Sequence, residues 1–134
     1  MPASALVFDS WALMALLGGD APGRHVKKLI VEAARTGRPC WITTVNMGEV
    51  WYSIAQRRSE TDADVVVAEI LESGLGLVEA DWNLTRRAAQ LKYKHKLIYA
   101  DSFAAALALE RAAELVTGDP NFKKLGRSLA VRWV

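Results

Sequence analysis

Four carboxylates carry the chemistry this sequence could perform: Asp9, Glu49, Asp101 and Asp119. Asp9 directly follows the apolar run Ser4–Phe8 (SALVF), and Asp119 comes just after Glu114–Thr117 (ELVT). Both runs read as buried strands. In an open α/β sheet, ligands bind beyond the carboxyl ends of strands. Each of these two acids also suits a helix N-cap, Asp119 all the more with Pro120 behind it. Asp101 falls at helical spacing with Ala104, Ala105 and Ala108, on a small apolar face that packs inward. A carboxylate there is costly without a partner. That partner is an arginine, backbone amides at a helix start, or a metal. Glu49, in TTVNMGEVWYSIAQR, is flanked at helical spacing by Val45 and Tyr52, in a stretch where the helix dipole also favours an acid. Together the four offer the oxygen ligands that a hard cation such as Mg²⁺ takes, with waters filling its octahedron. Such an ion polarises a phosphoryl oxygen and acidifies bound water.

Competing chemistries find little support. His25 and His95 lie in polar or basic helical surroundings, and Cys40 reads as a buried strand residue. One cysteine excludes an internal disulfide. No GxxxxGK[ST] or GxGxxG phosphate loop occurs. Two residues after Asp9, where a phosphoaspartate-type hydrolase carries a second acid, stands Trp11.

The elements that must position these acids alternate between short apolar runs and amphipathic ones, which implies α/β. Strands are expected at Ser4–Phe8, Cys40–Thr43, Leu75–Val78 and Glu114–Thr117, with an edge strand in Leu129–Val134. Helices are expected over Asp9–Leu17 and Arg24–Arg35. A third is capped by Thr43 or Thr44 and runs to about Arg57. Ser59 with Asp62 resembles a capping box opening a fourth, which stops at Gly74. Trp82–Lys94 and Ala100–Arg111 follow, and Asp119-Pro120 opens a short helix. Strands separated by helices imply a mostly parallel sheet with right-handed crossovers.

At 134 residues the chain makes one domain, residues 1–134, and its 51% hydrophobic and 24% charged residues are ordinary globular composition. No run of eighteen apolar residues is present, so no membrane span is expected. Ala5–Leu17 is interrupted by Asp9 and Ser10 and makes a poor signal peptide. Net charge is only +2, but it is segregated. Ser59–Asp81 holds seven acids and no base, Arg86–Lys96 five bases and no acid, and Lys123–Arg132 four bases and no acid. Such runs are either solvated helix faces or phosphate contacts. Lys92, Lys94, Lys96, Lys123 and Lys124 are the candidate phosphate contacts.

Three segments, VFDSWALMALL, TTVNMGEVWYSIA and YADSFAAALALERAAELVTGDPNFKKL, together resemble a PIN-domain ribonuclease of the VapC toxin type. The likeness covers nearly the whole chain, and its order is specific: Asp after the first strand, Glu in the helix after the second, Asp opening an Ala-rich helix, Thr-x-Asp after the fourth. The resemblance implies a three-layer α/β/α sandwich around a mostly parallel sheet of four or five strands. It implies that Asp9, Glu49, Asp101 and Asp119 converge on Mg²⁺ or Mn²⁺ to hydrolyse RNA phosphodiesters. Asp9 and Asp101 are the firmest ligands, with Ser10 and Thr117 orienting water or a carboxylate beside them. Asn121 is either part of this site or only of the turn. The resemblance also implies a VapB-like antitoxin that presents an arginine to the acids, a homodimer, and a cytoplasmic setting. The aromatics Trp11, Trp51, Tyr52 and Trp82 are expected in the core by default. Two alternatives stay open: a catalytically silent interaction protein of PIN fold, and a PIN nuclease of RNA processing outside toxin–antitoxin systems.

Overall fold

The computed structural model describes residues 4–134. Five strands form one sheet: β1 (Leu6–Phe8), β2 (Cys40–Thr43), β3 (Leu75–Val78), β4 (Glu114–Thr117) and β5 (Val131–Trp133). Its order is β3-β2-β1-β4-β5, and every neighbouring pair is parallel. Leu6 lies opposite both Cys40 and Glu114, so β1 is the central strand.

Six α-helices make the crossovers: α1 (Ser10–Gly18), α2 (Ala21–Thr36), α3 (Thr44–Arg57), α4 (Glu60–Glu72), α5 (Trp82–His95) and α6 (Tyr99–Glu110). A 3₁₀ segment, Pro120–Ser128, joins β4 to β5 and kinks at Gly126. The chain first winds outward from β1 through β2 to β3, then crosses back to β4 on the other side of β1. Right-handed crossovers in opposite directions must lie on opposite faces of the sheet. The side chains obey this. Leu6, Phe8, Ile42 and Val116 pack against α1 to α4. Val7 and Leu115, of opposite alternation, pack against α5, α6 and the 3₁₀ segment. The expected α/β/α sandwich is the observed one.

The reversal in winding opens a crevice at the carboxyl ends of β1 and β4. Asp9 and Asp119 follow those two strands. Helix α6 supplies the third side of the crevice, and every residue from Asp101 to Ala108 is buried. Its alanines allow a helix that is covered on all sides to sit close to the sheet.

Local differences from the sequence reading have identifiable causes. Helix α2 begins at Ala21, one turn earlier than Arg24, because Asp20 is its N-cap and Pro22 sits in the first turn. The last strand spans only Val131–Trp133, at the sheet edge. Three of the four aromatics depart from the core, while Trp51 packs against its edge. Trp82 is 71% exposed and Tyr52 49%, Trp11 is also at the surface, and Trp51 is half-buried with its indole N–H donating to Asp64 at 2.9 Å. The inward stripe of α3 is filled by Met47, Val50 and Ile54, and that of α5 by Leu84 and Ala88. Positions 52 and 82 therefore point away from the core. Among the described residues no helix is long and apolar enough to cross a membrane.

Candidate active site

Asp9 is 1% exposed, and both of its oxygens are held. One accepts the Ala12 backbone N–H at 2.8 Å, capping α1, and the other accepts the Thr117 hydroxyl at 2.5 Å. Asp9 therefore caps α1 and at the same time bonds Thr117 at the end of β4. The Thr117 oxygen in turn accepts the Asp119 backbone N–H at 3.0 Å. Asp119 caps the 3₁₀ segment by accepting the Asn121 N–H at 2.9 Å, and the Asn121 side-chain amide donates to Asp101 at 2.7 Å. One continuous relay thus ties three acids from three places in the chain. Asn121 belongs to the site as well as to the turn.

Asp101 lies in the first turn of α6, whose N-cap is Ile98. Its partner is accordingly a side-chain amide rather than an arginine or a helix end. Glu49 approaches from α3 and accepts the Ser10 hydroxyl at 2.8 Å. The acids Glu49, Asp101 and Asp119 line one cleft of about 530 Å³, walled on its apolar side by Trp11, Met14 and Ile98.

Sequence reasoning overlooked Asn46. It is fully buried, and its amide donates to Glu49 at 3.3 Å and to the Ala100 carbonyl at 3.1 Å. Its own oxygen accepts the Thr43 hydroxyl at 2.5 Å, which fixes the amide's orientation. The available signal was an asparagine one helical turn before Glu49 and three residues after a capping threonine.

Burial dominates the electrostatics. It pushes Asp9 up to about 7 against the opposing Thr117 and Ala12 hydrogen bonds, and the charges of Asp101 and Asp119 push it further. Asp101 rises to about 6, again chiefly by burial, with Asn121 and Lys124 opposing and Asp119 and Glu49 reinforcing.

The lysines are only partly gathered. Lys124 reaches the Lys96 carbonyl at 3.2 Å and is near enough to favour the charged form of Asp101. Lys92 braces the turn after α5 through the Leu97 carbonyl at 2.9 Å. Lys123 lies over the Trp133 ring, and Lys94 is exposed on α5.

The donor set suits a hard divalent cation by type: the cleft is lined by the carboxylates of Asp20, Glu49, Asp101 and Asp119 and by no histidine, cysteine, lysine or arginine. Among the described residues no three acids, histidines or cysteines stand close enough to grip one ion as they lie. That spacing still accommodates Mg²⁺, which is usually bound through one or two carboxylates and retains several waters.

The PIN domain family model matches residues 6–128. The chain belongs to the PIN domain family. Solved structures share this PIN fold over almost their full lengths. A chain of DNA-bound VapBC from Salmonella typhimurium matches at a TM-score of 0.76 and 14% identity, covering 96% of this chain and 97% of that one. The Mycobacterium tuberculosis toxin VapC20, which cleaves the sarcin–ricin loop, matches at 0.71 and 20% identity, with 91% and 95% covered. A toxin–antitoxin complex from Klebsiella pneumoniae matches at 0.69 and 22% identity, with 96% of each chain covered. No curated protein matches the sequence.

Proposed function

We propose that this PIN domain is a divalent-metal-dependent endoribonuclease toxin of the VapC kind, held in check by a VapB-like antitoxin. The observation that carries the reading is the relay Asp9–Thr117–Asp119–Asn121–Asp101, at the strand-end crevice where α/β sheets bind ligands. Carboxylates buried against one another without a cationic clamp are a costly arrangement for stability alone. They are explained by a cation that arrives with the substrate.

Asp9 and Asp101 are the principal holders of that cation, Mg²⁺ or Mn²⁺, with Glu49 and Asp119 completing the set directly or through water. The chemistry a bound divalent ion supplies here is polarisation of a phosphoryl oxygen and acidification of water. The protein's own groups set the geometry. Thr117 and Ala12 immobilise both oxygens of Asp9. Asn121 aims Asp101, and Ser10 with Asn46 aims Glu49. Fixed donors of this kind lower the reorganisation needed during reaction.

RNA is the substrate class we assign. Lys124 lies near Asp101 and reaches the Lys96 carbonyl, Lys94 is exposed on α5, and with Lys92 and Lys123 these are the phosphate contacts we assign. The same acidic cleft suits an arginine delivered by the antitoxin, since a guanidinium pairs two carboxylate oxygens at once. The resemblance to VapC toxins further supports a homodimer and a cytoplasmic setting.

The test is cleavage of total cellular RNA by purified protein with Mg²⁺ or Mn²⁺, with EDTA, and with Asp101→Asn. Discrete fragments that need metal and vanish in the variant are the expected result. Cleavage that persists in EDTA, or in Asp101→Asn, defeats the reading.

A further inference from the structure

The outward face of α5 is unlike the rest of the surface. Trp82 and Tyr93 are the two most exposed large apolar side chains among the described residues, at 71% and 84%. They are eleven residues apart, which brings them to nearly the same angle on a helix, with Arg86 and Ala89 between them at the intervening turns. The buried positions Leu84 and Ala88 lie on the opposite side. The aromatic pair therefore stands on the ridge of the helix, spread over about 16 Å. From Trp82 to Lys96 there are five bases and no acid. Arg87 and Lys94 are exposed together on one shoulder of the helix, roughly 120–140° round from the ridge.

This ridge leads to the acids. Helix α5 ends at Lys96, whose carbonyl accepts Lys124, and two residues on Ile98 lines the cleft that holds Asp101.

We propose that the α5 ridge is an accessory track for single-stranded RNA, on which Tyr93 and Trp82 stack unpaired bases while Arg86, Arg87 and Lys94 pair with phosphates. It rests on the nuclease reading above and adds to it a binding surface outside the cleft, for RNA that continues several nucleotides beyond the cut site. Flat aromatic faces interleaved with bases suit this ligand, because every base offers a π-face and every linkage a charge. A second copy of the chain suits it poorly. Pairing α5 with its own mate sets five bases against five, with no acid on either helix to offset them. Isolated solvated lysines would account for the charge but not for two aromatics on one ridge.

The experiment is fluorescence anisotropy of an end-labelled single-stranded RNA of about 16 nucleotides, in EDTA to prevent cleavage, at fixed salt. Trp82→Ala/Tyr93→Ala is expected to bind at least about tenfold more weakly than the unsubstituted protein. Trp82→Phe/Tyr93→Phe, which keeps both rings, should retain most of the affinity. Under single turnover with Mg²⁺ the alanine pair should need more of the long RNA for half-maximal rate, yet cleave a dinucleotide unchanged. Equal affinity for the alanine pair and the unsubstituted protein overturns the track while leaving the nuclease intact. Failure of the unsubstituted protein both to bind and to cleave overturns the nuclease reading instead. Loss of a dimer in the alanine pair, by sedimentation, overturns the track in favour of a protein interface.

Discussion

In the proposed function Asp101 serves a metal ion at the expense of the fold. Its carboxyl is held at about 6 by burial, so at neutral pH the metal-free protein carries a charge it would shed if it could. Asn keeps the shape and an acceptor for the Asn121 amide while removing that charge. Asp101→Asn should therefore abolish cleavage and, in EDTA at pH 7, raise stability by about 1–2 kcal/mol by urea unfolding. A variant that unfolds more easily than the parent would mark Asp101 as a structural group. Thr117→Val tests the opposite kind of contact. It strips Asp9 of its hydroxyl donor and the Asp119 N–H of its acceptor, both buried or half-buried. The expected cost is about 1–3 kcal/mol. A hydrogen bond to the charged form lowers a carboxyl's pKa, so its loss should move the acid limb of the pH–rate profile upward.

At the scale of elements, two glycines mark where backbones or rings come closest. A Cβ on Gly118 would meet the Trp11 indole at 2.2 Å, so the ring of α1 lies directly on the turn between Thr117 and Asp119. Gly118→Ala should displace the ring and lower both stability and cleavage. Adding Trp11→Ala should recover part of the stability, and a double-mutant cycle of thermal unfolding measures the coupling. Gly23 differs, because its Cβ would meet the Ala15 backbone carbonyl at 2.2 Å. No trimmed side chain can relieve that clash, so Gly23→Ala should be the more damaging of the two, by thermal melting. At the far end of the sheet Glu114 joins Arg38 at 2.5 Å and Arg132 at 3.1 Å, tying edge strand β5 to β4. The pairing with Arg132, then with Arg38, holds the Glu114 carboxyl below its usual value. This ion cluster sits at the amino ends of the strands, away from the acids, where it braces the sheet.

For the molecule as a whole, the acids impose a pH dependence opposite to that of most folded proteins. Asp9 and Asp101 have folded values of about 7 and 6, above the ordinary 3.8. Between those limits the native state binds more protons than the unfolded chain, so stability falls as pH rises from about 4 to 7. Metal-free protein should accordingly melt at a higher temperature at pH 5 than at pH 7. Added Mg²⁺ should narrow the difference, because a ligand bound only by the native state stabilises it. A melting temperature that is flat or rising over this interval in EDTA would contradict the raised values. Apart from Asp9, Glu49, Asp101 and Asp119, the protein has six more bases than acids, and in the proposed function RNA held by that excess should dissociate with added salt.

Much of this was legible along the chain because it is local. The strand runs SALVF, CWIT, LGLV and ELVT, the caps at Asp9, Thr43, Ser59 and Asp119, and the turn before α6 are encoded within a few residues of where they act. The ordered acids could be read for the same reason: each lies directly beyond a strand or within the opening turns of a helix. The Asn46–Ala100, Asn121–Asp101 and Trp11–Gly118 contacts could not, since their partners are distant in sequence and depend on how three helices meet the sheet. Nor could the exposure of Trp82 and Tyr52, because hydrophobicity names residues that gain from burial without saying which helix face finds a neighbour. The sequence by itself determined the elements, their order and the four acids. The tertiary structure alone decided that β4 returns beside β1, because strand order rests on pairing between segments more than one hundred residues apart. That return brings Asp9 and Asp119 to one crevice, and burial there raises the pKa of Asp9.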